Sequence, residues 1–193
     1  MTTDNFEKHT TKNPLQKLLI DAFFRTLMHE IKRLSPETIL DAGCGEGFGL
    51  QKLHMSGIGK TLEGVDLERA VLLGRKTHPE LTLTVGSIYA LPYADNTFDL
   101  VLCSEVLEHL ECPEKAIAEL RRVTKKYCII TVPNEPYFRL ANFLRGKNLS
   151  RWGNDIEHIQ HWSVRSLKVF VSKFFTIRTV RTPFPWSMVI LEK

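Results

Sequence analysis

Residues 37–49 read ETILDAGCGEGFG, a short apolar run of β type that ends at Asp41 and leads into a glycine-rich stretch. The glycines stand at alternate positions: Gly43, Gly45, Gly47 and Gly49. Because glycine has no Cβ atom, a strand that ends at Asp41 can turn sharply here and let a ligand approach the backbone. Residues spaced for a helix follow, and the N-terminus of that helix would face the same ligand. The stretch is therefore typical of a loop that binds a nucleotide cofactor.

The glycine spacing differs from the fingerprint of dinucleotide-binding proteins. That fingerprint needs a third glycine three positions after the second. The position is occupied by Phe48 when counted from Gly45, and by Leu50 when counted from Gly47. The spacing therefore argues against a loop that clamps a pyrophosphate.

A second carboxylate follows at the distance expected for contact with a ribose. Residues 61–67, TLEGVDL, predict a second strand that ends at Asp66. Rossmann-type folds place a carboxylate about 20 residues after the glycine loop, against the ribose hydroxyls. Carboxylates also end strands and cap turns, so Asp41 or Asp66 alone would be interpreted as a cap. Together with the glycine loop, they favour cofactor binding.

Four blocks of sequence are informative when their order and spacing along the chain are taken together: LDAGCGEG at 40–47, GVDL at 64–67, GSIYALPYADNTFDLVLCSEVLEHL at 86–110 and IITVPNE at 129–135. In this combination the chain resembles the class I S-adenosylmethionine-dependent methyltransferases of the small type 11 group, a family that includes methyltransferases of quinone biosynthesis. The resemblance covers roughly residues 37–135. Each block alone would be a weak signal.

Alternating strand and helix patterns predict an α/β fold with a mostly parallel sheet and helices on both faces. The predicted strands are 38–42, 61–66, 81–85, 98–103, 127–132, 176–181 and 188–192. The predicted helices are 14–34, 50–56, 68–76, 113–123 and one that follows Ser163 as N-cap. The resemblance implies that the sheet is Rossmann-like and seven-stranded, that the last two strands form an antiparallel hairpin, and that the last strand lies beside the fifth.

The resemblance also implies a cofactor, S-adenosylmethionine, with S-adenosylhomocysteine as product. Candidate binding residues come from the glycine loop, from the ends of the second and fourth strands, and from residues 86–88 after the third strand. They are Asp41, Gly43, Cys44, Gly45, Gly47, Asp66, Leu67, Ser87, Ile88, Cys103 and Ser104. Leu67 and Ile88 resemble the apolar residues that cover the adenine. Family members often carry an acidic residue where this chain has Ser87, so one contact to the adenine amino group is expected to be weaker or rerouted. The backbone at Cys103 and Ser104 is expected beside the methionine portion.

Three histidines are candidate catalytic residues: His109, His158 and His161. His109 lies in the sequence LEHL, where it either fixes the loop by hydrogen bonds, the favoured interpretation, or assists proton removal. His158 and His161 are competent to act as a base, to bind an acidic substrate group, or to coordinate a metal with Glu157. Hydrogen bonds that only fix this segment are the alternative. We predict no bound metal ion.

A long segment after the fifth strand, residues 134–162, is predicted to be a lid over the active site. It is too long for an ordinary connection and too apolar for a passive linker. A helical face is formed by Tyr137, Leu140, Ala141 and Leu144, and positive charge comes from Arg139, Arg145, Lys147 and Arg151. The favoured interpretation is a short helix that packs on the core with solvated arginines. The alternative is a basic cover that contacts a lipid surface or an anionic substrate.

Composition limits the remaining possibilities. The chain has 193 residues, 43% of them hydrophobic, and a formal net charge of +4. These values predict a single domain over residues 1–193, and the mild charge does not predict binding to nucleic acid. The nearest match to a base-flipping NPPY motif is VPNEPY, with the wrong order, although Asn134 or Glu135 could still bind a substrate. No apolar run reaches the length of a membrane span and the four cysteines lack metal or disulfide spacing, so a cytoplasmic protein is expected.

The predicted function is methyl transfer from S-adenosylmethionine to a small-molecule acceptor, for which hydrophobic and anionic compounds are both compatible. Since a sulfonium is a good leaving group, the reaction needs placement and desolvation, and a base only if the acceptor atom carries a proton. The acceptor atom and the oligomeric state are left open. The alternative is a cofactor-binding subunit that regulates a partner without catalysis. The glycine loop, Asp66 and the polar lid favour the enzyme.

Overall fold

The computed structural model describes residues 11, 13–144, 152–153 and 158–193. Over these ranges the strands are β1 (Thr38–Ala42), β2 (Thr61–Asp66), β3 (Thr82–Val85), β4 (Phe98–Ser104), β5 (Thr124–Pro133), β6 (Thr176–Arg181) and β7 (Trp186–Glu192). The helices are α1 (Pro14–Leu34), α2 (Phe48–Met55), α3 (Glu68–Thr77), α4 (Pro113–Val123), α5 (Tyr137–Leu144) and α6 (Val164–Val171). A 3₁₀ turn spans Leu107–His109.

The strands form one sheet in the order β3-β2-β1-β4-β5-β7-β6. Neighbours from β3 to β5 pair in parallel. Strand β7 is inserted between β5 and β6 and pairs antiparallel with both. The predicted Rossmann-like sheet, its antiparallel hairpin and the position of the last strand beside the fifth are confirmed.

Both faces of the sheet are covered, as the alternation of side chains along each strand requires. Ile39 packs into a core cluster with α1 and α2, whereas its neighbour Leu40 packs into a cluster with α4 and α6 on the opposite face. Helix α1 begins after Asn13, whose side chain accepts hydrogen bonds from the N–H groups of Leu15 and Gln16. Its buried side chains include Ile20, Phe23, Leu27 and Ile31.

Two strands begin earlier than the sequence predicts. Strand β5 starts at Thr124 instead of residue 127, because Thr124 already pairs with Phe98. The sequence pattern missed this start, since the exposed Lys125 and Lys126 interrupt the apolar run. The register shifts between Phe98 and Leu100, which accommodates one extra residue in β5. Strand β7 starts at Trp186 instead of residue 188, because Trp186 pairs with Pro133 of β5.

Part of the predicted lid lies outside the described residues. This applies to Arg145, Lys147, Arg151 and Glu157, so the lipid-facing interpretation of the basic segment stays a sequence-based prediction. Within the described ranges, no helix combines the length and the apolar character needed to cross a bilayer.

Candidate active site

A cavity of about 960 Å³ opens at the carboxyl ends of β1, β2 and β4. Open α/β sheets bind their ligands at this edge, where the strand order reverses. Most residues predicted for the cofactor line it: Asp41, Gly43, Cys44, Gly45, Asp66, Leu67, Ser87, Ile88 and Ser104. Two of the predicted catalytic histidines, His109 and His158, line it as well. Local sequence patterns therefore converge on one cavity.

Three predicted residues do not line this cavity. Gly47 caps the N-terminus of α2 with φ 86°, and a Cβ atom there would lie 2.9 Å from Cδ1 of Leu81. Cys103 is fully buried in the core, and burial raises the pKa of its thiol well above the usual range. His161 is exposed.

The lid residues Asn134 and Glu135 are also absent from the cavity lining. Their backbone N–H groups donate to the carbonyl oxygens of Pro185 and Trp162, at 2.9 and 2.8 Å, and so tie the segment to its neighbours. Burial raises the pKa of the Glu135 carboxyl, and the nearby positive charge of His161 opposes that shift.

The glycine loop needs a glycine at position 43. Gly43 has φ 84°, a left-handed conformation that L side chains rarely adopt. A Cβ atom built on it would collide with Cγ2 of Val106, from the segment that follows β4. The N–H groups of Gly43 and Cys44 donate to the carbonyl oxygen of Val65, at 2.8 and 3.2 Å. The loop is thus held against the end of β2 with its backbone next to the cavity.

Asp66 joins this loop to the end of β2. Its Oδ2 accepts from the N–H of Gly45 at 2.7 Å, and its Oδ1 accepts from the N–H of Leu67 at 2.6 Å. Burial raises the pKa of the carboxyl, and the two hydrogen bonds partly offset the shift. Each carboxylate oxygen retains a further lone pair, so both can still accept from hydroxyl groups of a ligand.

Asp41 is a buried carboxylate that lines the cavity, at 6% exposure. Burial, with a smaller contribution from the negative charge of Asp66, raises its pKa from 3.8 to about 7. Its Oδ1 has no hydrogen-bond partner among the described residues. A buried carboxylate that lines a cavity in this way favours a cationic ligand group, because the cation offsets the cost of burying the negative charge.

Residues 86–89, which follow β3, form a tight turn at the same edge of the sheet. The N–H of Gly86 donates to the carbonyl oxygen of Asp66 at 2.9 Å, and the N–H of Tyr89 donates to Oγ of Ser87 at 3.2 Å. The Ser87 hydroxyl therefore keeps its proton for donation to a ligand. Leu67 and Ile88 line the cavity on either side of this turn, and Leu67 is 66% exposed.

An aromatic wall at the other end of the cavity was not predicted. It comes from α1, α5 and the start of β7, with Phe23, Phe138 and Trp186 among its residues. The ring centroids of Phe23 and Trp186 lie 5.1 Å apart, and those of Phe138 and Trp186 lie 6.4 Å apart. Trp186 Nε1 donates to Oε2 of Glu105 at 2.7 Å. The periodicity of α1 predicted a helix, but a helical period does not say which cavity the helix covers.

The described part of the lid overlaps the predicted helical face only in part. Ala141 of that face lines the cavity, beside Phe138 and Asn142 of α5. Tyr137, Leu140 and Leu144 are exposed, at 52%, 52% and 76%.

A polar cluster lies beside the aromatic wall. One ligand atom each from Glu108, His109 and His158 lies within 4.8 Å of the other two. The rings of His109 and His158 are 5.1 Å apart, and the ring of Phe138 lies 5.4 Å from that of His158. Glu108, which is 1% exposed, was not predicted, although it directly precedes His109 in the sequence.

Comparisons with known proteins agree with this geometry. A family model described as a methyltransferase domain matches residues 40–131. An uncharacterised methyltransferase of Schizosaccharomyces pombe is 38% identical over 101 residues, which cover 46% of this chain and 36% of the relative. A demethylmenaquinone methyltransferase of Streptomyces avermitilis is 32% identical over 127 residues, which cover 65% of this chain and 54% of the relative. The matched segment thus spans only about a third to a half of these curated relatives.

Among solved structures, the magnesium protoporphyrin IX methyltransferase of Synechocystis, determined with bound S-adenosylhomocysteine, gives a TM-score of 0.69. The two chains are 17% identical, and the match covers 98% of this chain and 94% of the other. At this identity the comparison shows the fold alone. Residues 40–131 thus resemble a methyltransferase domain, and the fold of the chain is that of a solved methyltransferase.

Proposed function

We propose that this protein transfers a methyl group from S-adenosylmethionine to a small, largely apolar acceptor. The observation that carries the proposal is the division of one cavity into two chemically different ends. One end has the glycine loop, Asp41 and Asp66, whereas the other has the aromatic wall and the Glu108, His109 and His158 cluster. Methyl transfer needs two such ends, because donor and acceptor must lie in line within one water-poor space.

The donor end suits each part of S-adenosylmethionine. Asp66 can accept from the two ribose hydroxyls, because it lines the cavity and each of its oxygens has a lone pair to spare. Leu67 and Ile88 supply apolar surface for the adenine, and Ser87 supplies a donor for its edge. The backbone of Gly43 and Gly45 lies beside the buried carboxylate of Asp41, which suits the cationic amino acid portion.

The acceptor end suits a planar or aliphatic compound with a polar group. Phe23, Phe138 and Trp186 provide apolar contact, while His109 and His158 provide donors or acceptors for the reacting group. In the reaction, a lone pair of the acceptor atom forms the new bond to the methyl carbon as the carbon–sulfur bond breaks. The electron pair of that bond stays on sulfur and gives S-adenosylhomocysteine. Where the acceptor atom carries a proton, His109 or His158 is placed to receive it.

The name of one relative, demethylmenaquinone methyltransferase, supports a small molecule as acceptor. We propose the cytoplasm as the compartment, because all four cysteines are free thiols, as a reducing environment would keep them. A role as a non-catalytic cofactor-binding subunit remains the competing function, and it differs from the enzyme only at the acceptor end.

The test is calorimetric titration of the purified chain with S-adenosylhomocysteine, with nicotinamide adenine dinucleotide as the control ligand. We expect saturable binding of the first and none of the second. A screen with methyl-labelled S-adenosylmethionine and a panel of quinols, phenols and amines then tests transfer. Absence of S-adenosylhomocysteine binding to the folded chain would overturn the proposal, and binding without transfer to any acceptor would favour the non-catalytic subunit.

A further inference from the structure

We propose that Glu108, His109 and His158 bind one divalent transition-metal cation at the acceptor end of the cavity. All three residues line the cavity, and their candidate ligand atoms lie within 4.8 Å of one another. The binding itself follows from this cluster alone. The role of the cation in catalysis rests on the proposed methyl transfer.

The separation of the three atoms is close to that of a bound site. With bonds of about 2.0–2.2 Å, two ligands of a tetrahedral cation are about 3.4 Å apart, and two ligands on opposite sides of a cation are about 4.2 Å apart. Contraction of these separations by up to about 1.4 Å, within reach of side-chain rotation, would therefore close the cluster around an ion.

The backbone holds the two halves of the cluster together. The N–H groups of Ile159 and Gln160 both donate to the carbonyl oxygen of Glu108, at 2.8 and 2.9 Å. The Gln160 side chain donates to the carbonyl oxygen of Leu110 at 3.2 Å. His158 is consequently fixed relative to the turn Leu107–His109, although some 50 residues separate them in the sequence. Such preorganisation is what a metal site on two separate segments requires.

The ligand types select the class of cation. Two imidazole nitrogens and one carboxylate oxygen suit zinc, manganese or iron better than calcium or magnesium, which prefer sites made of oxygen ligands. Three protein ligands also leave coordination positions open, as catalytic sites need. The burial of Glu108 favours the cation further, because a positive ion offsets the cost of keeping a carboxylate away from water.

The site would narrow the acceptor class to compounds with a hydroxyl group. A cation next to a hydroxyl oxygen lowers the pKa of that hydroxyl, so its proton leaves more readily to solvent, and His109 and His158 then act as metal ligands rather than as the base. The oxygen then forms the bond to the methyl carbon while the sulfonium releases S-adenosylhomocysteine. The site would disfavour an amine acceptor, because the cation would bind the same lone pair that must attack the methyl carbon.

The test uses the full-length chain, first stripped of metal with a chelator that is then removed. Zinc alone is titrated by calorimetry, and cobalt alone is followed by its absorption in the visible range. We expect one saturable site, and a loss of zinc affinity of roughly tenfold or more in Glu108→Gln and in His109→Asn. The His109 side chain is exposed, so its replacement removes little buried packing. His54→Asn is the matched control, since His54 is exposed and lies outside this cavity.

The same samples are titrated with S-adenosylhomocysteine, which separates this proposal from the proposed function. Unchanged S-adenosylhomocysteine affinity in the two variants, together with weakened zinc binding, supports the metal site. If the wild type shows no saturable zinc binding, or if both variants bind zinc as the wild type does, the metal site is overturned. A wild type that binds zinc but no S-adenosylhomocysteine would instead refute the proposed function and keep the metal site.

Discussion

The backbone N–H of Gly45 donates a hydrogen bond to Oδ2 of Asp66 across 2.7 Å. This bond connects the glycine loop after β1 to the end of β2, and the second oxygen of the same carboxylate fixes Leu67. Besides the ribose contact proposed for it, Asp66 therefore holds the shape of the glycine loop. We expect loop geometry and cofactor affinity to depend on the same side chain.

Asp66→Asn should weaken S-adenosylhomocysteine binding by roughly tenfold or more, the equivalent of one charged hydrogen bond. The amide has only one oxygen, so its NH₂ group must face the N–H of Gly45 or of Leu67, donor against donor. Calorimetry on the folded variant measures the affinity. Asp21→Asn is the control, because Asp21 is exposed on α1 and does not line the cavity. Equal affinities for both variants would exclude a cofactor role for Asp66.

Gly43→Ala should destabilise the fold more than Gly57→Ala. Both glycines have positive φ, 84° and 62°, so alanine costs about 1 kcal/mol at either position for the backbone alone. Only at Gly43 does the new methyl group meet a neighbour, Val106, and the clash should add about 1–3 kcal/mol. Urea unfolding of the two variants gives the difference. Equal losses would mean that Val106 moves aside at no cost and that the loop tolerates a side chain.

Asp41 should make the stability of the ligand-free protein depend on pH. Because its pKa is raised from 3.8 to about 7, the folded chain keeps a proton in this window that the unfolded chain has released. The stabilising contribution is complete below about pH 4 and is lost as the pH rises through about 7. Over this pH window the free energy of unfolding of the wild type should fall by at least about 1.4 kcal/mol more than that of Asp41→Asn. Urea unfolding across the window checks this, and parallel curves for the two proteins would show that Asp41 does not titrate there.

The donor end could be predicted from sequence because its determinants are local. The strand, the glycine loop and Asp66 lie within short segments whose spacing reflects one turn and one strand end. Strand alternation also explains why the Cys103 side chain does not line the cavity. Cys103 faces the core, so its neighbour Ser104 faces the cavity, as a period of two requires.

The acceptor end could not be predicted in the same way, because its contacts join residues far apart in the chain. Phe23 and Trp186 meet only after α1 packs across the end of β7. Glu108 and His158 meet through the backbone bonds that Ile159 and Gln160 make to the turn before α4. No periodic pattern encodes these encounters. The wall and the polar cluster therefore depend on the tertiary fold.

Phe138→Leu should raise the KM for the acceptor and leave S-adenosylhomocysteine affinity unchanged. Phe138 lies between His158 and Trp186 in the cavity wall, with ring distances of 5.4 and 6.4 Å, so a smaller side chain loses apolar contact with an acceptor but none with the donor end. Removal of such contact typically costs roughly tenfold in kcat/KM. Phe143→Leu is the matched control, because Phe143 stacks on Trp152 and does not line the cavity. Kinetics with the acceptor found in the labelled-methyl screen measure both variants. A lower S-adenosylhomocysteine affinity in Phe138→Leu, or an equal KM in the two variants, would mean that the aromatic wall does not bind the acceptor.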